Sequence, residues 1–326
     1  LYQKAEDVCR SFLQDVEDSW LVRQGLVYSY VYRRLFDLAL AEAEKNYLLN
    51  PSTRADLGMI MLFKDDLAGA EKILGNDPLL LIRGQFNNNV NLSRQILEKS
   101  KGNKGNEAEA YRELANALEK AGRYEEAYRA FNQYLKLSDE YRKSALESGV
   151  SYLPSQQKSD LFAIGRIQAE MKSFDAAQKT AEELKSLIAK GINTKERRLY
   201  EYILGQIELE KREYREAADL FGRACDRLDF KGDASFFSPL ARALYELGDP
   251  DKARENYEKI TLLTMGRIND GDIYAKAFYM LGKIAEQQGD KVRARDNYRR
   301  FLDLWKDADS GLPEVPDAKA RLAALI

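Results

Sequence analysis

Apolar positions recur along this chain with the period of a helix. Ala127 is followed by Phe131 and Tyr134, Ala217 by Phe221 and Ala224, Ala253 by Tyr257 and Ile260, and Ala294 by Tyr298 and Phe301. Residues at i, i+4 and i+7 share one helix face, so each run predicts an amphipathic helix with one buried stripe. Twelve positions before each of these alanines stands another small residue, itself behind a large one: Leu114-Ala115, Leu204-Gly205, Leu240-Ala241 and Leu281-Gly282. The same pair and the same interval recur in Leu26-Val27 with Ala39, Leu57-Gly58 with Ala70, and Ile164-Gly165 with Ala177.

This pattern predicts helix hairpins. The small residue of the pair lets the first helix (A) approach its partner, and the alanine does the same from the second (B). Gly122-Arg123, Gly248-Asp249-Pro250 and Gly289-Asp290 mark the turns between them. The motif resembles the tetratricopeptide repeat, a helix-turn-helix unit of about 34 residues. Ala5 and Ala39 are 34 residues apart, and Pro51 stands where that family places its closing proline. Later intervals are 31, 57, 50, 40, 36 and 41 residues. The interval of 57 predicts a degenerate repeat, with short helices near Pro78–Phe86 and Asn91–Lys99. The interval of 50 predicts a long helix B followed by the loop Gly149–Ser159.

The resemblance implies an all-α fold: a right-handed α-α superhelix, or solenoid, of about eight hairpins in one domain making roughly one superhelical turn. The expected boundaries are a half repeat over 1–17 and hairpins over 18–51, 52–77, 78–100 (degenerate), 107–141, 157–190, 196–229, 235–264 and 272–306, with a capping helix over 315–326. Ala5, Cys9 and Phe12 fit helix B of a repeat lacking its helix A, and the chain opens on Leu1 inside a helix. A fragment of a longer chain is therefore expected, with a repeat array or another domain continuing upstream.

A narrower resemblance covers the last 55 residues or so. Gly271–Ile284, Tyr298–Asp309, Leu312-Pro-Glu-Val315 and Ala318–Ala324 resemble the end of the repeat region in multidomain bacterial signalling proteins. There the array accompanies a serine/threonine kinase, nucleotide cyclase or DNA-binding domain.

Composition narrows the chemistry. Lys and Arg number 51 against 53 Asp and Glu, for a net charge of −2, so no global basic field exists for nucleic acid. Histidine is absent, which excludes histidine ligands, histidine bases and Ser-His-Asp triads. Cys9 and Cys225 are too far apart in sequence for a CxxC motif. Gly232, Gly266 and Gly271 stand outside any phosphate-loop signature. No nucleophile–base constellation or metal set emerges, so the expectation is a non-enzyme without cofactor, metal or catalytic residues. No run reaches the roughly 18 apolar residues of a spanning helix. No membrane span is expected, and the expected compartment is the cytoplasm.

Candidate binding residues follow from the resemblance, which implies a concave face lined mainly by helix A. Its positions flank the large-small pair: two before the large residue, two after it, and five or six after it. They carry onto Tyr28, Tyr32, Met59 and Phe63 in the first hairpins. The middle supplies Arg112, Asn116, Phe162, Arg166, Tyr202 and Gln206, and the last hairpins supply Arg242, Tyr245, Tyr279 and Lys283. Aromatics alternate with cations along the C-terminal half, which suits a protein or peptide partner carrying acidic groups. Arg112 and Asn116 imitate the first pair of the clamp by which some family members hold chaperone C-termini, but Ala163 stands where that clamp needs Asn.

Other segments have plainer readings. Met59–Phe63 is apolar on more than one helix face, as in a helix buried on both sides. Lys99–Asn106 reads as a solvated connector and Asn87-Asn-Asn89 as a turn. Asp303, Asp307 and Asp309 read as a solvated helix end without EF-hand spacing. Cys225 occupies a helix B packing site, which predicts an inert, buried thiol. The functional expectation is a protein–protein interaction module, the regulatory or sensory arm of a bacterial signalling protein. A stand-alone assembly adaptor in envelope biogenesis or secretion is the alternative, and an RNA-binding helical repeat a more distant one.

Overall fold

The computed structural model describes residues 2–149, 156–226, 234–262, 264 and 267–325. Gly232, Gly266, residues 227–229 of the expected sixth full hairpin and most of the loop Gly149–Ser159 lie outside the described residues. The rest is helical, with no strand among the described residues. A lone helix α1 (Tyr2–Asp15) precedes the hairpins α2 (Trp20–Tyr32)/α3 (Phe36–Leu49) and α4 (Arg54–Phe63)/α5 (Leu67–Leu74). A 3₁₀ turn, Asp77–Leu79, leads to α6 (Phe86–Ser100). Five further hairpins follow: α7 (Lys104–Lys120)/α8 (Tyr124–Glu147), α9 (Gln157–Glu170)/α10 (Phe174–Ala189), α11 (Arg197–Glu210)/α12 (Tyr214–Cys225), α13 (Ala234–Glu246)/α14 (Pro250–Leu262) and α15 (Gly271–Gln287)/α16 (Lys291–Leu304). Helix α17 (Glu314–Ala324) packs on α16.

The small residues work as the pattern requires. All seven signature alanines (Ala39, Ala70, Ala127, Ala177, Ala217, Ala253 and Ala294) are 0% exposed, so none has room for a larger side chain. On helix A, a Cβ at Gly58 would meet Leu74 at 2.5 Å, at Gly165 Ile203 at 2.4 Å, and at Gly282 Tyr298 at 2.6 Å.

One turn geometry recurs eight times. The residue two before each helix B has a left-handed backbone, with φ between 59° and 87°: Arg34, Asp65, Gly84, Gly122, Lys172, Arg212, Gly248 and Gly289. The next residue donates its N–H to a carbonyl five positions back, as Leu35 does to Tyr30 and Asp290 to Ala285, both at 2.9 Å. This is the Schellman closure, which satisfies carbonyls left over at a helix end. Half of these turns carry glycine, and three of those, Gly122, Gly248 and Gly289, were visible in sequence.

The degenerate repeat departs from expectation. Its helix A is not the short helix foreseen over Pro78–Phe86 but the 3₁₀ turn followed by the Schellman turn at Gly84. Its helix B starts at Phe86, so Asn87–Asn89 belong to the first turn of α6 and are not a loop turn. The cause is remote: a carboxylate oxygen of Asp309 accepts the Asn87 N–H at 2.8 Å. Asp309 thus caps α6 from the far end of the chain. A second correction concerns α1. Ala5 is exposed and Phe12 is 49% exposed, whereas Glu6 is buried under Arg10, Arg33 and the Tyr30 hydroxyl. An ion-pair network orients this helix. Cys225 is half-buried, its Sγ 3.5 Å from the Phe236 carbonyl oxygen, so it is less enclosed than its position implied.

The array closes on itself. One hydrophobic cluster joins Leu62, Ala70, Leu79, Ile82 and Phe86 to Tyr274, Tyr298, Phe301, Leu304, Trp305 and Ala318. Gly84 and Gly271 permit that approach: a Cβ at Gly84 would stand 2.9 Å from the Trp305 ring, and one at Gly271 2.7 Å from the Ile82 backbone. Buried Arg267 donates to the carbonyls of Leu62 (3.2 Å) and Phe63 (3.0 Å) at the end of α4, and to Asp65 (3.0 Å). Asp65 also accepts from Tyr274 at 2.9 Å and pairs with Arg300 at 2.6 Å. Closure explains the run Met59–Phe63. Ile60 and Phe63 face the N-terminal core, while Leu62 faces the C-terminal hairpin.

Candidate functional site

Closure turns the concave face into a cavity of about 740 Å³. Successive A helices present it: Glu113, Asn116, Glu119 and Lys120 from α7, Arg166 and Glu170 from α9, Tyr202 and Gln206 from α11, and Arg242 from α13. The far wall is Ile268–Asp270 with Asp272 and Lys276 of α15, joined by Asp77, Asn89 and Ser93 of the degenerate repeat. The wall therefore combines residues more than 150 positions apart.

The charges of this cavity are largely matched from within. Lys120 Nζ lies 3.0 Å from Asp270 Oδ1 and 3.1 Å from Asp272 Oδ1. Burial works against the Lys120 charge, but the carboxylates of Asp272 and Asp270 outweigh it and hold the ammonium above the ordinary lysine range. Burial pushes the Asp270 carboxyl upward, against the pull of Lys120. Arg166 Nη2 lies 3.0 Å from Glu119 Oε2, and its guanidinium carbon sits 5.0 Å from the Phe162 ring centroid. Arg242 is 3.6 Å from Glu210, and Lys276 is 3.2 Å from Glu314.

Glu170 differs. It accepts from Gln206 Nε2 at 2.7 Å and from the Tyr124 hydroxyl, both neutral donors. It makes no ion pair among the described residues. Burial first, then the neighbouring Glu210, raises its pKa above the usual carboxylate range. Tyr202, only 8% exposed, packs edge-on against Phe162 at 5.3 Å and Phe236 at 5.0 Å. Its hydroxyl makes no hydrogen bond among the described residues.

Of the fourteen candidate residues, Asn116, Arg166, Tyr202, Gln206 and Arg242 share the cavity wall. Phe162 stands behind them, stacked on Phe236 at 6.0 Å. The others do not join this face. Phe63 is buried beside Phe36, Met59 packs in the same N-terminal core, Tyr28 reaches Asp56 at 3.4 Å, and Tyr32 stacks on Tyr2 at 4.9 Å. Arg112 pairs with Glu109 at 2.5 Å on its own helix. Tyr245, Tyr279 and Lys283 form a separate group beside the cap helix. The Lys283 ammonium lies over both rings, at 5.3 and 5.6 Å, and Tyr279 donates to Asp317 of α17 at 2.7 Å.

Sequence reasoning passed over Glu119, Lys120 and Glu170. All three fall five or six residues after the large residue of their pair, a position the lining rule names, so the signal was present. Asp270, Asp272 and Lys276 had no such signal, because closure alone brings them to the cavity.

No helix among the described residues is long and apolar enough to cross a membrane. No group of three or more His, Cys, Asp or Glu with metal-holding geometry occurs among them. A tetratricopeptide repeat family model matches residues 94–145 and 239–313. No curated protein matches. Among solved structures, a tetratricopeptide repeat protein from Parabacteroides merdae is 14% identical, with 94% of this chain and 98% of that one covered at a TM-score of 0.45. BtubC from P. vanneervenii is 16% identical over 70% of this chain and 94% of its own, at a TM-score of 0.44. YrrB, described as a repeat protein of this type with an unusual peptide-binding site, is 16% identical over 71% of this chain and 99% of its own, at a TM-score of 0.37. Tetratricopeptide repeats form non-catalytic scaffolds for protein–protein interaction. With its seven fully buried signature alanines and recurrent Schellman turns, this chain is an all-helical repeat solenoid, two segments of which match the tetratricopeptide repeat model.

Proposed function

We propose that the chain is a non-catalytic interaction module that takes a short segment of a protein partner into its central cavity. The observation that carries this reading is the convergence of Asn116, Arg166, Tyr202, Gln206 and Arg242, from four different A helices, on one cavity of about 740 Å³. That size falls within the roughly 300–1,000 Å³ of ligand clefts, enough for a few side chains and too small for a folded domain. Repeat solenoids use this face for binding. The cations that would receive an acidic partner are already engaged with Glu119, Glu210 and two tyrosine rings.

A photo-crosslinking residue at Asn116, compared with one at Leu48 on the outer surface, tests the reading. Partner adducts from position 116 alone support it, and adducts from position 48 alone overturn it.

The finer role, a regulatory arm of a bacterial signalling protein, rests on the resemblance of residues 271–324 to such proteins. The intact mass and N-terminal sequence of the natural product test it. A kinase, cyclase or DNA-binding domain ahead of the array supports that role. A start just upstream of Leu1 removes it and leaves the adaptor role.

A further inference from the structure

The lining charges of the cavity do not balance. Asp77, Glu113, Glu119, Glu170, Asp270 and Asp272 face it, against Lys120, Arg166, Arg242 and Lys276. Each of those four cations has a carboxylate partner of its own. Asp77 and Glu170 are the lining acids without an ion pair among the described residues; Asp77 is exposed, and Glu170 is half-buried. Tyr124 and Gln206 hold Glu170 through neutral hydrogen bonds, and the cations that act on it, Arg242 and Arg166, are paired with Glu210 and Glu119. A half-buried carboxylate without an ion pair carries a desolvation cost, and an incoming cation lowers that cost.

A second observation concerns Tyr202. Its ring is locked between Phe162, Phe221 and Phe236, and the residue is more than nine-tenths buried. Its hydroxyl reaches the cavity without a hydrogen-bond partner among the described residues, in the field of Arg166, Glu119, Glu170 and Lys120. The hydroxyl is therefore free to accept from or donate to a ligand atom in the cavity.

We infer that the cavity takes a basic side chain, a lysine ammonium or arginine guanidinium from a partner peptide, with Glu170 as its counter-ion and the Tyr202 hydroxyl oxygen as a second acceptor. This rests on the cavity being the binding site. It reverses the acidic partner expected from the sequence. An ammonium or guanidinium donates to both groups at once, whereas a carboxylate entering here meets Glu170 and Glu119.

The test uses the full chain and a set of fluorescent octapeptides that share degenerate flanks and differ only at the centre: Lys, Arg, norleucine or Glu. Anisotropy titrations compare the wild type with Glu170→Gln, Tyr202→Phe and the cavity-filling Asn116→Trp. Lys- and Arg-centred peptides are expected to bind at least tenfold tighter than norleucine- or Glu-centred ones. Glu170→Gln should remove that preference, and Tyr202→Phe should weaken it severalfold with its aromatic packing kept. Both variants are near-isosteric, and circular dichroism and thermal melts check that each is folded. Binding that Asn116→Trp abolishes but that shows no preference for a basic centre overturns this inference and leaves the cavity as a binding site. Binding of Nα-acetyl-lysine methylamide as tight as that of the peptide overturns the peptide part and assigns the site to small amines. No binding of any peptide, or binding indifferent to Asn116→Trp, overturns the cavity reading itself.

Discussion

Gly271 abuts the backbone of Ile82: a Cβ built on Gly271 would lie 2.7 Å from the Ile82 nitrogen and 2.8 Å from its Cα. The obstacle is main chain, so no rotamer change can relieve it. Gly271→Ala is expected to cost about 2–3 kcal/mol of stability, at the upper part of the range for overpacking. It should also loosen closure and raise the radius of gyration in small-angle X-ray scattering. Gly222→Ala is the control, because nothing lies within 4 Å of its Cβ position. That helical substitution should be neutral or stabilise by up to about 1 kcal/mol.

Arg267 is the polar counterpart of that contact. Its guanidinium satisfies two carbonyls at the end of α4 as well as Asp65, and it is only 3% exposed. Burial lowers its pKa from the ordinary arginine value, with Tyr274 and Asp65 opposing the shift. Arg267→Met keeps the apolar stem and removes the donors. Arg300 still pairs with Asp65, so that acid is not stranded. The expected loss is about 2–3 kcal/mol, read from the urea midpoint. A variant as stable as the wild type would mean that apolar packing alone holds the ring.

The left-handed turns offer a gain. Arg212 holds φ at 66° and Lys172 at 59°, conformations that cost a side-chain-bearing residue about 1–2 kcal/mol. Glycine removes that strain but adds unfolded-state entropy worth roughly 0.5–1 kcal/mol. Arg212→Gly should therefore stabilise by about 0.5–1 kcal/mol in denaturant unfolding. A loss would show that the arginine side chain contributes more than its exposed position suggests.

Glu170 should leave a mark on the pH dependence of stability. Its folded pKa is raised by burial, by Glu210 and by Glu119, against Tyr124 and Arg242. The folded chain therefore binds a proton more readily than the unfolded chain. The sign follows: this stabilisation is complete below the unfolded value near 4.5 and is lost as pH rises through the folded pKa. Glu170→Gln should flatten that part of the stability–pH curve and melt at or above the wild-type temperature at neutral pH. A variant that melts lower by several degrees at neutral pH would mean that the ionised carboxylate is well satisfied.

The helices and hairpins were legible because helix packing writes a local rule into the chain. Ala127, Phe131 and Tyr134 share a face by helical period alone, and Gly165 must be small because Ile203 presses on it. Such constraints span a few dozen residues and recur with every repeat. The turns were half legible: Gly122, Gly248 and Gly289 announce the left-handed residue, whereas Arg34, Asp65, Lys172 and Arg212 adopt the same backbone without announcing it. The N-terminal register was misread because burial normally selects Ala5 over Glu6, and here three polar partners reverse that choice.

The amino-acid sequence by itself determined the repeat: which residues are helical, which small residues let helices touch, and which chemistry is missing for want of histidine. Only the tertiary structure decided that the array closes. Closure depends on surfaces meeting across about 200 residues, Gly84 on Trp305, Ile82 on Gly271, and Leu62 and Asp65 on Arg267, and no local period encodes such a pairing. Small rotations between successive hairpins add up along a solenoid, and their sum brings the last hairpin onto the second and third. The same sum divided the expected continuous groove. Five of its residues went to a cavity with Lys120, Glu170 and Asp270, four stayed with the N-terminal hairpins, and three gathered beside the cap helix.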